Sequence, residues 1–363
     1  MAIIAEENPV VKYLEETFEN LTKVPLKHIS NIIISSASKG FSGKMTDIDE
    51  YSENHRTTVG HFLNKGKWDS EGVGEKLSSE VYNHVHSHEA IVFISLDDSV
   101  NEKHKASEKT RRPMEEVRSL HSHLKGGFVY GHQVFAAMMG NMCYRIDFCR
   151  ENDGGKIAKA VAVADSLPVL ADKPGYVLMD SWYTCKKVID AFAAKNYHTI
   201  GALKTNRVIY PEGFEGSIQI AQFAKTLNQS DFRLVTAKSG RYWVYRYTGK
   251  LNGVTQAAVL LTYPENAFAK ENALRAFLST DLSLSDETII KYYGNRWEIE
   301  VFFKQQKHYF GFSKYQIRSA NGIARFLLLI SLASFYFISN FAKKLGDAIR
   351  IFRRFFKISL NFS

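Results

Sequence analysis

The sequence predicts an α/β protein that carries a β-rich insertion and a helical N-terminal region. Between residues 90 and 203, short apolar segments rich in β-branched residues alternate with helical segments. This alternation is typical of a sheet with crossover helices. Residues 208–282 contain mainly strand-like segments, and residues 8–85 show the three- and four-residue apolar spacing of amphipathic helices.

Each element is predicted from its local composition. Apolar runs at 90–96 and 175–179 end at aspartates, and the run at 198–203 has the same β-branched character. Turn-prone Gly and Asn at 249–253 separate two strands of the insertion, and Ser285 begins a helical region that continues to about Phe310. The other predicted elements are strands at 127–135, 143–148, 232–235, 242–247 and 257–261, and helices at 156–167 and 182–195.

Composition restricts the classes of partner. The 363 residues carry a formal net charge of +9, which favours a polyanion such as nucleic acid, although an ordinary basic enzyme fits as well. The three cysteines form no CxxC pair, so the sequence predicts neither a disulfide framework nor a zinc ribbon, and it fits a reducing cytosol. No secretory signal is recognisable. Residues 326–341 are nearly all apolar but short for a membrane span, so we expect a buried helix and no membrane partner.

Aspartates follow two of the predicted strands. Asp97 and Asp98 come directly after one strand, and Asp180 follows another. Active sites of open α/β sheets collect at such strand ends, although an isolated Asp there is more often a turn or capping residue. Strand alternation allows only one of Asp97 and Asp98 to face a common site.

A third acidic residue lies in a regular pattern of functional side chains. Arg296, Glu300 and Lys307 follow Tyr293 at +3, +7 and +14. On a continuous helix these four side chains fall within about 60° of one another. The pattern is also compatible with an exposed, salt-bridged helix face, but its aromatic surroundings favour a packed site.

These residues resemble the YREK signature of the IS4-like insertion-sequence transposases, a family of DDE transposases. The segment 96–99 resembles the family's first-Asp motif and 178–183 its second. Flanking agreement extends to 277–281, 311–312 and 316–319, so the resemblance covers about residues 88–330.

The resemblance implies an RNase H-like catalytic core with a β-strand insertion between the second Asp and the Glu. Asp97, Asp180 and Glu300 are then the catalytic carboxylates and the ligands of Mg²⁺ or Mn²⁺, two ions in all. Double-stranded DNA is the expected partner, as transposon terminal inverted repeats and as target, with a homodimer holding two ends. The expected location is the cytoplasm, at a bacterial or archaeal nucleoid.

The domain boundaries expected from these features are a helical N-terminal DNA-binding or accessory region at 1–87, the first part of the core at 88–207, the β-rich insertion at 208–282, the second part of the core at 283–345 and a basic C-terminal tail at 346–363.

Several side chains are expected to contact DNA, each with an alternative role. Arg296 and Lys307 either grip phosphates or only pair with Glu300 inside the helix. Trp182 either stacks on a base or belongs to the core. The full expected DNA-binding set is Tyr293, Arg296, Lys307, Lys304, Trp182, Lys204 and Arg207, of which Lys204 and Arg207 equally suit a solvated basic loop.

Two further interpretations stay open beside an active cut-and-paste transposase. One is a catalytically inactive, transposase-derived DNA-binding protein, and the other is a non-transposing nuclease of the same fold. The basic, aromatic segment at 350–357 either contacts DNA or a partner, or is the shortened end of a longer parent.

Overall fold

The structure is a computed structural model, and contacts divide the chain into two compact units. Unit 1 consists of residues 1–87, 98–156 and 299–363, and unit 2 of residues 88–97 and 157–298. The structure describes residues 8–19, 21–49, 55–107, 109–122, 125–238 and 240–360, with only the backbone of 356–360.

Unit 1 begins with the helices predicted for the N-terminal region. Helix α1 starts after Asn8, whose side chain accepts a hydrogen bond from the Val10 N–H, and Pro9 occupies its first turn. Val59, Phe62 and Leu63 form the buried face of the fourth helix. The helices of the described N-terminal residues are α1 (Pro9–Thr17), α2 (Lys23–Ser36), α3 (Met45–Asp49), α4 (Arg56–Lys65) and α5 (Ser70–His88).

Unit 1 also holds the second half of the first strand and a β-meander. Strand β1 (Val92–Glu102) enters unit 1 at Asp98 and hydrogen-bonds with β3 (Gly127–Met139). On its two sides β3 pairs antiparallel with β2 (Arg118–Ser122) and with β4 (Met142–Cys149). The first strand is therefore longer than predicted, since pairing with β3 extends it beyond the two aspartates.

Two C-terminal helices complete unit 1. Helix α11 (Ala320–Asn340) is long and apolar enough to cross a membrane, yet most of it is buried in the unit, as predicted. Helix α12 (Leu345–Leu360) contains the segment interpreted from sequence as a tail, and it buries Phe352 against Phe337 and Phe341. The apolar stretch is thus a core helix, and the neighbouring elements of unit 1 bury its apolar side chains.

A buried histidine connects β3 to the segment after the tenth helix of the chain. His132 is fully buried, its Nε2–H donates to the Glu115 carbonyl at 2.9 Å, and its Nδ1 accepts from the Tyr315 hydroxyl at 2.8 Å. Both ring nitrogens are satisfied in the neutral form. Burial lowers the pKa of His132 to about 4, although the hydrogen bond to the Glu115 backbone opposes this shift.

This histidine predicts a loss of stability in acid. Between pH 6.5 and about 4, His132 is protonated in the unfolded chain but stays neutral in the folded chain. The free energy of unfolding therefore decreases by up to about 3 kcal/mol as the pH is lowered through this range. His132→Asn is expected to be less stable at pH 7.5 but to lose less on acidification. Denaturant unfolding of both proteins from pH 7.5 to 4.5 measures the difference, and a constant difference across this range would contradict the prediction.

Unit 2 is built on parallel strands that bring the aspartates together. The first half of β1 pairs parallel with β5 (Gly175–Met179), which pairs parallel with β6 (His198–Leu203). The connecting helices are α6 (Gly155–Ser166) and α7 (Lys186–Ala193). Parallel strands alternate here with connecting helices, so the predicted α/β class is confirmed.

The β-rich insertion continues the same sheet. Strand β12 (Arg275–Ser279) pairs antiparallel with β6 and with β11. Asn252 and Gly253 form the predicted tight turn, with Gly253 at a φ of 87°. Alternate residues of β11 enter two different core clusters, so this sheet is buried on both faces. The other strands are β7 (Val208–Ile209), β8 (Ile218–Gln219), β9 (Arg233–Ala237), β10 (Gly240–Leu251) and β11 (Val254–Pro264), and the short helix α8 (Ile220–Ala224) follows β8.

The predicted single helix after Ser285 is two helices, so the prediction of one continuous stripe is wrong. Helix α9 (Asp286–Gly294) begins at Ser285, whose hydroxyl accepts from the Thr288 N–H, as predicted. The chain then turns at Asn295 and Arg296 before helix α10 (Trp297–Tyr309). Gly294 and Asn295 are weak helix formers, and the turn gives Arg296 a direction that a straight helix would not.

Candidate active site

Asp97 and Asp180 occupy equivalent positions on neighbouring strands of unit 2. The parallel register pairs Leu96 with Met179. Asp97 follows Leu96 within β1, and Asp180 follows Met179, the last residue of β5. Neighbouring strands lie about 4.8 Å apart, so the two carboxylates emerge side by side where the β1–β5 pairing ends. Both are partly exposed. The structure thus places two predicted site residues together.

The backbone after β5 fixes the orientation of the Asp180 carboxylate. Its Oδ1 accepts from the Trp182 N–H at 2.8 Å and the Tyr183 N–H at 3.2 Å, while the Thr184 hydroxyl donates to the Asp180 carbonyl at 2.7 Å. Because residues 181–185 form this turn, α7 begins at Lys186 and not at the predicted residue 182. No hydrogen bond reaches the Asp180 Oδ2 from the part of the chain that the structure describes.

Arg296 contacts the first aspartate directly. Its guanidinium donates to the Asp97 Oδ2 at 2.9 Å, with side-chain exposures of 17% for Arg296 and 22% for Asp97. The same guanidinium lies 6.0 Å from the centre of the Tyr293 ring, which itself packs on Phe277 at 4.7 Å. A partly buried, charge-assisted bond of this kind holds both side chains in a defined geometry.

The pKa of Tyr293 is affected by Arg296 and by both aspartates. Burial raises its pKa, the positive Arg296 opposes the increase, and the carboxylates of Asp180 and Asp97 reinforce it. The phenol therefore stays protonated near neutral pH and keeps a hydrogen-bond donor. Asp97, Asp180, Tyr293 and Arg296 consequently form one cluster in unit 2, which we call the carboxylate cluster.

Asp98 has different partners from Asp97. In unit 1 its Oδ1 accepts from the Lys156 ammonium at 2.7 Å and its Oδ2 from the Gln133 amide at 2.8 Å. Successive side chains of a strand point to opposite faces, which explains the separate contacts. The geometry therefore favours Asp97 as the member of the pair that faces the carboxylate cluster.

The remaining charged residues of the motif lie on α10 in unit 1. Glu300 is partly buried, and Lys304 is exposed. The Lys307 ammonium donates to the Ser99 hydroxyl at 2.9 Å, and burial lowers its pKa although Glu102 opposes this. Arg296 and Lys307 thus have partners outside the helix, namely Asp97 and Ser99, and are not confined to pairing with Glu300.

The other residues expected to contact DNA, Trp182, Lys204 and Arg207, differ in exposure and in their partners. Trp182 is 51% exposed, and the Lys204 ammonium lies 5.2 Å from the centre of its ring, so this pair offers a cationic aromatic surface. Arg207 instead donates to the carbonyls of Asn252 at 2.7 Å and Thr184 at 3.3 Å. These bonds favour a structural role for Arg207, which joins the turn after β5 to the β10–β11 hairpin.

The donor chemistry of the two aspartates suits a hard divalent cation. Carboxylate oxygens are the ligands that Mg²⁺ and Mn²⁺ prefer, and the backbone N–H groups of the turn after β5 bond only the Oδ1 of Asp180. Among the residues that the structure describes, no group of three or more His, Cys, Asp or Glu side chains lies close enough to form a metal site. The fit to a metal therefore rests on the aspartate pair.

Comparisons with known proteins identify the family of the chain. The family model described as "Transposase DDE domain" matches residues 93–336, well over half of the chain. A comparison with curated proteins found no match. A solved piggyBac transposase synaptic complex with hairpin DNA is similar in structure, with a TM-score of 0.46, 10% sequence identity and coverage of 95% of this chain and 76% of that chain. The match over residues 93–336 contains the whole carboxylate cluster, and the chain belongs to the transposase DDE domain family.

Proposed function

We propose that the chain is a cut-and-paste DNA transposase of the IS4-like type, with Asp97, Asp180 and Glu300 as its catalytic carboxylates. The observation that carries the proposal is the placement of Asp97 and Asp180 side by side at the end of the β1–β5 pairing, with Arg296 and Tyr293 beside them. Glu300 is included because it completes the Tyr293, Arg296, Glu300 and Lys307 spacing.

The three carboxylates would hold two Mg²⁺ or Mn²⁺ ions. Such ions, when bound, make an attacking oxygen nucleophilic and neutralise the charge of the leaving oxygen in phosphodiester cleavage. The residues around Asp180 orient its carboxylate. The turn after β5 fixes the Asp180 Oδ1 through two backbone N–H groups, so the Oδ2 would be the oxygen that holds a metal.

Cationic residues of the motif would bind the phosphates of the reacting strand. A guanidinium has five N–H donors in a planar fork, so Arg296 can keep its bond to Asp97 while it contacts a phosphate. Lys307 and Lys304 would add positive charge from α10. Tyr293 remains a neutral donor because its pKa is raised.

Trp182 and Lys204 would contact the DNA beside the cleavage point. An exposed indole beneath an ammonium group offers a stacking surface for a base and a charge for its phosphate. The proposed substrates are double-stranded transposon ends with terminal inverted repeats, and target DNA. A homodimer would hold two ends together, as the family resemblance implies.

The test is cleavage and joining of a labelled duplex that carries the end of the element encoding this chain. With Mg²⁺ or Mn²⁺ we expect wild type to cut and to join the released 3′-OH to a target duplex. Asp180→Ala and Glu300→Ala are expected to lose both reactions and to keep duplex binding, because they remove carboxylates and no cation.

The outcomes separate the proposal from its alternatives. Binding without cleavage by wild type would indicate an inactive DNA-binding relative, and cleavage without joining would indicate a nuclease. A Glu300→Ala variant as active as wild type would remove Glu300 from the catalytic set and leave the aspartate pair to be judged separately.

A further inference from the structure

Unit 1 contains a second charged feature, lined by none of the motif residues, which we call the basic groove. It has a volume of about 1000 Å³ and lies between the start of α3, helix α4, the segment 112–115 and the segment 316–319. Its charged lining residues are Lys44, Arg56, Lys65, Arg112, Arg318 and Glu115. The groove therefore presents five positive charges and one negative charge.

The positive charges of the groove are directed to solvent. All five cationic residues are exposed, and no carboxylate within the described ranges lies at salt-bridge distance from any of them. Glu115 carries the one negative charge, and one of its carboxylate oxygens accepts from the Ala320 N–H at 2.8 Å. Exposed cations gathered in a concave surface attract and concentrate a polyanion.

The walls of the groove are fixed by hydrogen bonds. Arg325 donates to three carbonyls at the end of α4, those of Phe62, Leu63 and Gly66, at 2.9 to 3.5 Å. The Ser319 hydroxyl bonds the Asn64 side chain. The Glu115 N–H donates to the Arg318 carbonyl at 2.8 Å, and the Arg318 guanidinium to the Arg112 carbonyl at 2.8 Å. The cationic side chains are thus presented from a rigid frame, which reduces the entropy lost on binding.

The chemistry of the lining indicates which polyanion fits. Among the described residues that line the groove, none is aromatic, whereas proteins that bind single strands usually stack bases on aromatic rings. The lining instead combines cations with short polar side chains, among them Thr46, Asn64 and Gln316. Such groups bind phosphate oxygens without reading bases.

We propose that the basic groove binds the phosphate backbone of double-stranded DNA, independently of base sequence, as a contact region separate from the carboxylate cluster. The inference deepens the proposed function, on which it rests for the identity of the polyanion. Three or more of the five cations would each contact a phosphate, so the groove would contribute strongly to affinity and to its dependence on salt.

Gly60 offers a matched set of variants. It lies in α4 and lines the groove, its φ is in the ordinary helical range, and a Cβ added there meets no atom within 4 Å. Gly60→Glu, Gly60→Gln and Gly60→Lys therefore add side chains of similar size at a position that accommodates a Cβ, and each improves helix propensity over glycine. Only the charge placed in the groove differs among the three.

The experiment measures the Kd of the full chain for a fluorescent 30-base-pair duplex of arbitrary sequence, in EDTA, between 50 and 200 mM salt. Relative to Gly60→Gln, we expect Gly60→Glu to bind about tenfold more weakly and Gly60→Lys to bind more tightly. The triple variant Arg56→Gln, Lys65→Gln and Arg112→Gln is expected to reduce the slope of log affinity against log salt by about 2 to 3.

A charge-matched control separates the groove from net charge. Lys23→Gln, Lys238→Gln and Lys344→Gln remove the same charge from exposed positions outside the groove, and we expect a smaller change in slope. Equal Kd values across the Gly60 series, equal effects of the two triple variants, or equal charge dependence with a single strand of the same sequence would each overturn the proposal. Because no cleavage is measured, charge-dependent duplex binding by a chain that fails the cleavage test would uphold the groove and contradict the transposase.

Discussion

Replacing Asp97 with Asn is expected to slow DNA cleavage by about 1000-fold or more, whereas replacing the adjacent Asp98 with Asn is expected to change the rate by less than about tenfold. A factor of 1000 corresponds to about 4 kcal/mol of transition-state stabilisation, in the range expected for loss of a metal-binding carboxylate. The two substitutions make the same chemical change one residue apart. They differ because Asp97 contacts Arg296 in the carboxylate cluster, while Asp98 pairs with Lys156 and Gln133.

The measurement is single-turnover cleavage of the element-end duplex, with thermal unfolding and duplex binding of each variant as controls. Asp98→Asn weakens a pair whose members are 13% and 20% exposed, so a lower melting temperature is compatible with the prediction. The assignment would be reversed if Asp98→Asn, folded and DNA-bound, lost cleavage while Asp97→Asn retained it.

The second large effect concerns the C-terminal helix. Phe352→Ala is expected to lower the free energy of unfolding by about 3 to 5 kcal/mol, as for other buried Phe→Ala changes. Phe352 is 2% exposed, and its ring centre lies 5.0 Å from that of Phe337 and 5.5 Å from that of Phe341. Phe355, three residues later on the same helix, is 61% exposed. Phe355→Ala should therefore change stability by no more than about 0.5 kcal/mol.

Urea unfolding of the two variants compares the same chemical change on two faces of α12. A difference of several kcal/mol establishes that the helix is docked on unit 1 through Phe352, as its contacts show. Equal and small losses would indicate that the segment is an undocked tail, which is the interpretation that its basic, aromatic composition suggests. Duplex binding by Phe355→Ala separately tests whether the exposed face contacts DNA.

The local sequence determined most of the elements that carry the site. Strands β5 and β6 have the predicted bounds because short β-branched runs between turn residues are decisive. The order of strand-end aspartates, the tight turn at Asn252 and Gly253, and the capping by Ser285 also follow from adjacent residues. The family itself was recognisable from the sequence, since a transposase DDE domain matches residues 93–336.

The directions of the functional side chains depended on contacts distant in sequence. The helix that was predicted to continue past Tyr293 breaks at Asn295, and helical periodicity alone gives no sign of the turn. Trp297 belongs to the aromatic surroundings that favoured a packed site, yet it is 63% exposed. Arg296 donates a hydrogen bond to Asp97 across a sequence separation of 199 residues, and Lys307 donates one to Ser99 across 208 residues. No local pattern encodes such pairs.

The sequence by itself therefore determined the α/β class, the order of elements, the family and the carboxylates worth testing, because propensity, capping and motif spacing are properties of neighbouring residues. Only the tertiary structure decided that Asp97 and Asp98 have separate partners, that Arg207 binds backbone carbonyls, and that five cations of unit 1 share one groove. Those outcomes follow from strand register and from the packing of helices that are far apart in the chain. Such contacts decide which side chains are buried and which charges lie close together.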